Sequence, residues 1–185
     1  YHHGDLRNSL IDAGVALARA GGPNAVVLRA VSREAGVSHN AAYRHFANHE
    51  DLLAAVAQRC MQRLSMLMSQ RMGLVTARSP VRRAQLRLEA IGRAYLDFAR
   101  AEPGWFRTAF TSARPHGDDA AEPHVRSDAE DQTSIPDPYA ILGAGLDELV
   151  RVGVVSSQRR AGAEYAAWSA AHGLSSLLLD GPLRD

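Results

Sequence analysis

The fold is decided by residues 28–46, which read LRAVSREAGVSHNAAYRHF. Apolar residues recur at helical spacing on both sides of Gly36-Val37-Ser38, which predicts two short helices, at 28–35 and 39–46. Gly36 can take the left-handed backbone conformation that a tight turn needs, and Ser38 can cap the second helix. Val37 would be the apolar residue that holds the turn in place. This spacing is that of a helix-turn-helix.

The second helix of this motif would expose His39, Asn40, Tyr43 and Arg44 near its N-terminal end. These side chains form hydrogen bonds or bind phosphate, as is typical of a helix that lies in the major groove of DNA. The alternative is an ordinary helical hairpin whose surface is polar. The spacing of the motif alone leaves both interpretations open.

The rest of the chain is predicted to be helical as well. Period-two alternation is absent, while apolar residues recur at helical spacing, so we expect an all-α protein. Further helices are predicted to begin near Asp5, Asn48, Ser79, Pro103, Asp137 and Gln158. Residues 113–137 contain four Pro and Gly residues without apolar periodicity, which predicts a flexible acidic loop.

Composition excludes several classes of protein. The 185 residues are 46% hydrophobic and 22% charged, as in globular domains rather than disordered chains. A single cysteine, Cys60, excludes a disulfide scaffold and a cysteine-based zinc cluster. Neither a signal segment nor an apolar run of about 20 residues is present, so we expect a cytoplasmic protein. No metal or cofactor motif is recognisable, and none is expected.

Five segments resemble the TetR/AcrR family of transcriptional regulators. Residues 28–38, 42–46 (AYRHF) and 48–53 (NHEDLL) are similar to the DNA-binding domain of that family. The opening residues 1–7 (YHHGDLR) resemble one branch of it. The segment 168–174 (WSAAHGL) resembles the Trp–His–Gly segment in the C-terminal domain of the same branch.

The resemblance implies a three-helix DNA-binding head, residues 1–48, followed by a helical-bundle domain for regulation and dimerisation, residues 49–185. It also implies which residues bind DNA. Phosphate contacts would come from Arg29, Tyr43, His45 and His49, and base contacts from His39, Asn40, Ala41 and Arg44, with Ser38 at the helix cap.

The sequence departs from the family pattern at three places. His49 stands where members often have Lys, so this phosphate contact is expected to be weaker or pH-dependent. Val27 stands where Ser or Thr commonly caps the second helix of the head. The chain ends soon after the penultimate helix, which leaves open whether a final helix follows residue 185.

Aromatic and methionine side chains in the second domain suggest where an effector would bind. We predict a mostly apolar ligand site lined by Leu64, Met68, Tyr95, Phe98, Phe106, Phe110, Trp168 and His172. The same residues at helical spacing are also typical of an ordinary core, and this alternative stays open.

Small residues near the C-terminus predict a dimer interface. A partner helix could approach closely on a face formed by Ala163, Ala166, Ala167, Ala170 and Gly173. Tyr165, Trp168 and His172 would then point into the subunit. Small residues are equally compatible with close contacts inside one subunit.

The combined prediction is a homodimeric DNA-binding regulator, a repressor released from a palindromic operator by a small effector. A regulator that responds to no ligand or to a protein is the alternative, followed by an all-α enzyme or a structural adaptor. The enzyme is less favoured because no phosphate loop, nucleophile motif or metal-ligand spacing appears. The sequence identifies neither the effector nor the operator, and repression is not distinguished from activation.

Overall fold

The structure, a computed structural model, describes residues 3–111 and 136–184. Within these ranges the chain forms eight α-helices and no strand, as the periodicity predicts. The helices are α1 (His3–Gly21), α2 (Leu28–Glu34), α3 (His39–Tyr43), α4 (His49–Gly73), α5 (Pro80–Ala101), α6 (Pro103–Thr111), α7 (Pro138–Arg151) and α8 (Ala163–Asp180). The loop predicted at 113–137 lies outside the described residues except for its last two.

The turn between α2 and α3 has the geometry that its sequence predicts. Gly36 has φ 68°, in the left-handed region where a side chain would be strained. The amide of Val37 donates to the carbonyl of Ser32 at 2.9 Å, and that of Gly36 to Arg33 at 3.2 Å. These two bonds satisfy the last carbonyls of α2 and redirect the chain into α3. The turn therefore fixes the angle between the two helices of the motif.

The head is held together by one buried cluster. It joins α1 (Leu10, Ile11, Val15, Ala18), α2 (Leu28, Val31), α3 and the residues after it (Ala42, Phe46), and the first half of α4 (Leu52, Val56, Cys60). Val37 is partly buried against this cluster, as predicted. The predicted division at residue 48 stays a prediction, because the buried cluster of the head continues into α4.

A second buried cluster forms the body. It contains Leu64 and Met68 of α4, Ile91, Tyr95 and Phe98 of α5, Phe106 of α6, and Ile141, Leu142 and Leu146 of α7, with α8 against its side. Met61, Trp105 and Phe110 pack against both clusters. Head and body are therefore continuous through α4 and α6 rather than joined by a linker.

Three predicted helix boundaries are wrong. The first helix begins at His3, so Asp5 lies inside it and is not its N-cap residue. The third helix ends at Tyr43 rather than near Phe46, since Arg44 is its C-cap residue and the amide of His45 donates to the carbonyl of Ala42, three residues back, as in a turn. The last helix begins at Ala163 instead of Gln158, because Gly162, at φ 72°, separates it from a 3-10 turn.

Candidate nucleic-acid interface and the buried core behind it

The residues predicted to contact DNA form one exposed surface around α3. Seven of the nine are exposed, namely Arg29, Ser38, His39, Asn40, Tyr43, Arg44 and His49. Ala41 and His45 are partly buried, since the opposite side of α3 faces the head cluster. The rings of His39 and Tyr43 meet edge to face, with their centres 4.7 Å apart. This contact orders two side chains on the outer face of α3.

Capping bonds position the helices of this surface. The hydroxyl of Ser38 accepts from the amide of Ala41 at 3.2 Å, and the side chain of Asn48 accepts from the amide of Asp51 at 2.8 Å. Such caps contribute about 1 kcal/mol each. Val27 is the N-cap residue of α2, and its side chain makes no capping hydrogen bond. This departure from the family pattern therefore leaves the first amides of α2 without a side-chain acceptor at the N-cap.

Arginines of the head carry charge that carboxylates do not neutralise. Arg29, Arg33 and Arg44 are exposed and form no ion pair with any residue of 6–111 or 136–184. In contrast, Arg19 and Arg59 pair with Glu102 and Asp12. Unpaired guanidinium groups beside an exposed helix are suited to phosphate, which they bind through charge-assisted hydrogen bonds.

The residues predicted to line a ligand site do come together, in the body cluster. Leu64, Met68, Tyr95, Phe98 and Phe106 are almost completely buried there. The ring of Tyr95 lies edge-on to Phe106 and Trp168, with centres 5.6 and 5.2 Å apart. Aromatic pairs of this geometry add about 0.5–1.5 kcal/mol each beyond the area they bury. The eight side chains therefore contact one another, as the alternative interpretation of an ordinary core also requires.

A polar pair lies inside this aromatic cluster. The hydroxyl of Tyr95 and Nδ1 of His172 are 2.8 Å apart. When the neutral imidazole carries its proton on Nε2, the hydroxyl donates to Nδ1. Phe106 stacks on the imidazole at 5.5 Å and Phe110 meets it edge-on at 4.7 Å. Burial lowers the pKa of His172 and raises the pKa of Tyr95, so both groups stay neutral at pH 7.

We expect acid to destabilise the body through His172. The folded state disfavours the imidazolium form, so this contribution is complete above the unfolded pKa of 6.5 and decreases as the pH falls below it. Urea unfolding at pH 7.5 and 5.5 should show a larger loss of stability in the parent than in His172→Asn, which keeps an acceptor near Nδ1 but cannot titrate. Equal losses in the two proteins would contradict this role.

Two open grooves occur elsewhere on the described surface. One, of about 750 Å³, lies at the end of α7 and is lined by Val150, Gly153, Val154, Val155, Ser156, Ser157 and Arg159. The other, of about 440 Å³, lies beside the α4–α5 connection and is lined by Leu74, Val75, Thr76, Leu86, Glu89, Ala90 and Arg93. Neither contains a residue predicted to bind ligand.

Sequence reasoning missed a junction between α1 and α6. The indole Nε1 of Trp105 donates to the carbonyl of Val15 at 2.8 Å, and Arg19 forms two bonds to Glu102, at 2.6 and 2.7 Å. Gly104 lies so close to the end of α1 that a Cβ would stand 2.2 Å from the carbonyl oxygen of Ala18. The sequence signal was Glu102-Pro103-Gly104, which predicts a helix break but not what the glycine contacts.

The small residues of α8 do not all share one exposed face, so this prediction needs correction. Ala163 and Ala167 pack against the body cluster, whereas Ala166 and Ala170 are exposed and Gly173 is partly buried. Successive residues of a helix are about 100° apart, and the buried face is centred near Ala171 and the fully buried Ser175.

Tyr165 is also misplaced by the prediction. It is 52% exposed and rests its ring against Tyr139, with centres 6.0 Å apart, instead of pointing into the subunit. Trp168 and His172 do face the body cluster. The outer side of α8 instead carries Leu174 and Leu177, which are 39% and 44% exposed.

Two family models match the chain, one in its N-terminal part and one in its C-terminal part. Residues 10–56 match the family model described as bacterial regulatory proteins, tetR family. Residues 88–185, more than half of the chain, match the model described as tetracyclin repressor-like, C-terminal domain. Together with the exposed helix-turn-helix, these matches define a DNA-binding transcriptional regulator. The chain belongs to the TetR family.

A solved structure supports this assignment at the level of the fold. A protein of unknown function from Rhodococcus sp. RHA1 is 25% identical and superposes with a TM-score of 0.63, covering 100% of this chain and 88% of the other. No curated protein matches the chain. None of the helices in the described ranges is long and apolar enough to cross a membrane.

Proposed function

We propose that the protein is a homodimeric repressor that binds a palindromic operator and is released by a small, mostly apolar effector. The observation that carries the DNA-binding part is the exposed polar face of α3. This face is held by the Gly36 turn and the Ser38 cap, and is flanked by arginines without carboxylate partners. A two-fold dimer would present two such faces, and a palindrome is the DNA sequence with matching symmetry.

The effector part of the proposal is supported by the aromatic cluster. Phe110 and Trp168 are partly buried, and their ring centres are 6.0 Å apart at the side of the cluster formed by α6 and α8. A flat apolar ligand could insert between these two rings. The contact between Phe110 and Trp168 would then be replaced by contacts of each ring with the ligand. His172 and Tyr95 would supply the few polar contacts that fix a ligand's orientation.

Helix α6 offers a route from such a ligand to the head. Phe106 and Phe110 of α6 belong to the aromatic cluster, while Gly104 and Trp105 of the same helix contact α1. Because α6 has only nine residues, a shift of its aromatic side also moves the end that touches the head. A coupling free energy of about 1–3 kcal/mol between effector and operator would be sufficient for regulation.

The most direct experiment selects bound fragments from sheared genomic DNA with the purified protein. Enrichment of a palindromic motif, followed by repression of a reporter placed behind it, is the expected result. Failure to enrich any sequence would contradict operator binding, and an increase in reporter expression would assign the protein as an activator instead.

A regulator that responds to no small molecule, or to a protein, is the second candidate. The observation that favours it is the close contact among the predicted ligand residues, five of which are at most 4% exposed. A site for a drug-sized molecule needs a few hundred Å³. Thermal shift and operator release with a set of apolar compounds would distinguish the two. Stabilisation without release, or no effect at all, supports the second candidate.

The dimer proposal leads to a test on the outer side of α8, here defined as Ala166, Ala170, Gly173, Leu174 and Leu177. Ala170→Glu places a carboxylate in its middle, and we expect it to weaken self-association by about 3 kcal/mol or more, or over about 100-fold in Kd. Sedimentation equilibrium at micromolar concentration would measure this. Ala54→Glu, on the exposed side of α4, is the control with the same charge change. A parent that is monomeric, or an Ala170 variant that remains dimeric, would contradict the proposal.

A further inference from the structure

An arginine of α1 lies against the segment that connects α3 to α4. The guanidinium carbon of Arg7 is 5.1 Å from the centre of the Phe46 ring. Phe46 is only 2% exposed, whereas Arg7 is exposed. Phe46 is the third residue after α3 and stands two residues before Asn48, the cap of α4. The guanidinium group is thus held on a fixed ring between the two elements that form the candidate DNA surface.

This cation has no carboxylate partner among residues 6–111 and 136–184. In contrast, Arg19 of the same helix is paired with Glu102, and Arg59 of α4 is paired with Asp12 of α1. A guanidinium that lies over an aromatic ring still has N–H groups that can donate to another partner. Holding the side chain in place also reduces the entropy that a new hydrogen bond would cost. The guanidinium group of Arg7 is therefore positioned to bind an anion from outside this part of the protein.

We propose that Arg7 contacts a phosphate of the DNA backbone beside the α3–α4 turn and so fixes how the head sits on the duplex. This inference rests on the proposed DNA-binding function and adds a residue of α1 to the surface formed by α2, α3 and α4. Phosphate is the anion that DNA presents, and guanidinium binds it through two parallel hydrogen bonds. Because Arg7 lies beside α3 and not on it, its contact orients the head without reading a base.

The test measures affinity for a random 30-base-pair duplex between 50 and 200 mM salt, so it does not depend on knowing the operator. Arg7→Gln and Arg7→Met both remove the charge, and Met keeps an apolar cover over Phe46 if the Gln variant is poorly folded. The slope of log affinity against log salt concentration should become less steep by about 0.9 for each Arg7 of the dimer that contacts the duplex. The affinity at 0.1 M salt should fall about eightfold for each such contact. Arg7→Lys should restore most of the slope.

Arg78→Gln is the matched control, since it removes one unpaired, exposed arginine. It lies beyond the C-terminal end of α4, a helix of 25 residues and about 37 Å long, whose N-terminal end belongs to the candidate DNA surface. An unchanged slope in the control with a reduced slope in both Arg7 variants supports the proposal. Equal slopes in the parent and the Arg7 variants would overturn it, even if those variants melted earlier, since Arg7 would then only cover Phe46. A similar reduction in Arg78→Gln would overturn it too, as an effect of net charge. A parent that does not bind the duplex would overturn the proposed function itself.

Discussion

Gly104→Ala is expected to lower the free energy of unfolding by about 3 kcal/mol or more, although it adds only one methyl group. That group would lie 2.2 Å from the carbonyl oxygen of Ala18 and 2.4 Å from that of Arg19. Both are backbone atoms in the last turn of α1, so no side chain can rotate away. Either α6 moves away from α1 or the end of α1 deforms.

The control for this variant is Gly92→Ala, in the middle of α5. A Cβ at Gly92 meets no other atom within 4 Å, and alanine is the better helix former by about 1 kcal/mol, so this variant should be slightly more stable than the parent. Urea unfolding of the two variants and the parent gives the comparison. A Gly104 variant as stable as the parent would mean that α1 and α6 are free to separate, and would remove the proposed route from the body to the head.

The helix-turn-helix could be predicted because its determinants are local. Gly36, Val37 and Ser38 act within a few residues, through a left-handed backbone, an apolar contact and a cap, and each of these leaves a signal in the sequence. These three residues also determine which side of α3 is exposed, because a helix of five residues that buries one side must expose the other. The DNA-facing residues are therefore placed together by the turn itself.

The junction between α1 and α6 could not be predicted in the same way. Arg19 and Glu102 are separated by 83 positions, and nothing in either local sequence identifies the other as its partner. The glycine that permits the close approach has a second local explanation, because Pro103-Gly104 also follows a helix end. Contacts of this kind depend on how the finished helices are arranged.

The prediction for α8 was wrong in part, at Ala163, Ala167 and Tyr165, and for a different reason. At about 100° per residue the alanines at 163, 166, 167, 170 and 171 lie on one side of the helix, but that side is wide enough to include both outward-facing and body-facing positions. The direction is set instead by larger groups, with Trp168 and His172 inserted beside Tyr95. As a result Ala163 and Ala167 are drawn toward the body, and the outer side is left to Ala166, Ala170 and the two exposed leucines.

Arg44→Ala is expected to cost about 1–3 kcal/mol of operator binding, or about 5- to 150-fold in affinity. Arg44 stands at the C-terminal end of α3, exposed and without an ion pair in the described residues, so its removal should leave the folded head intact. The form of the loss identifies the contact. If Arg44 reaches a base edge, discrimination at one operator position disappears; if it reaches a phosphate, all sequences weaken alike.

Binding to the selected operator and to its single-base variants separates these two outcomes, with thermal unfolding as the check on the fold. Arg7→Gln serves as the reference for a uniform loss, because it is proposed to contact phosphate alone. A base contact by Arg44 predicts that the two variants differ, with a flattened preference at one position in Arg44→Ala and an unchanged preference at every position in Arg7→Gln. Operator affinity unchanged by Arg44→Ala would exclude both roles, and would mean that α3 does not lie in the groove with this end toward the DNA.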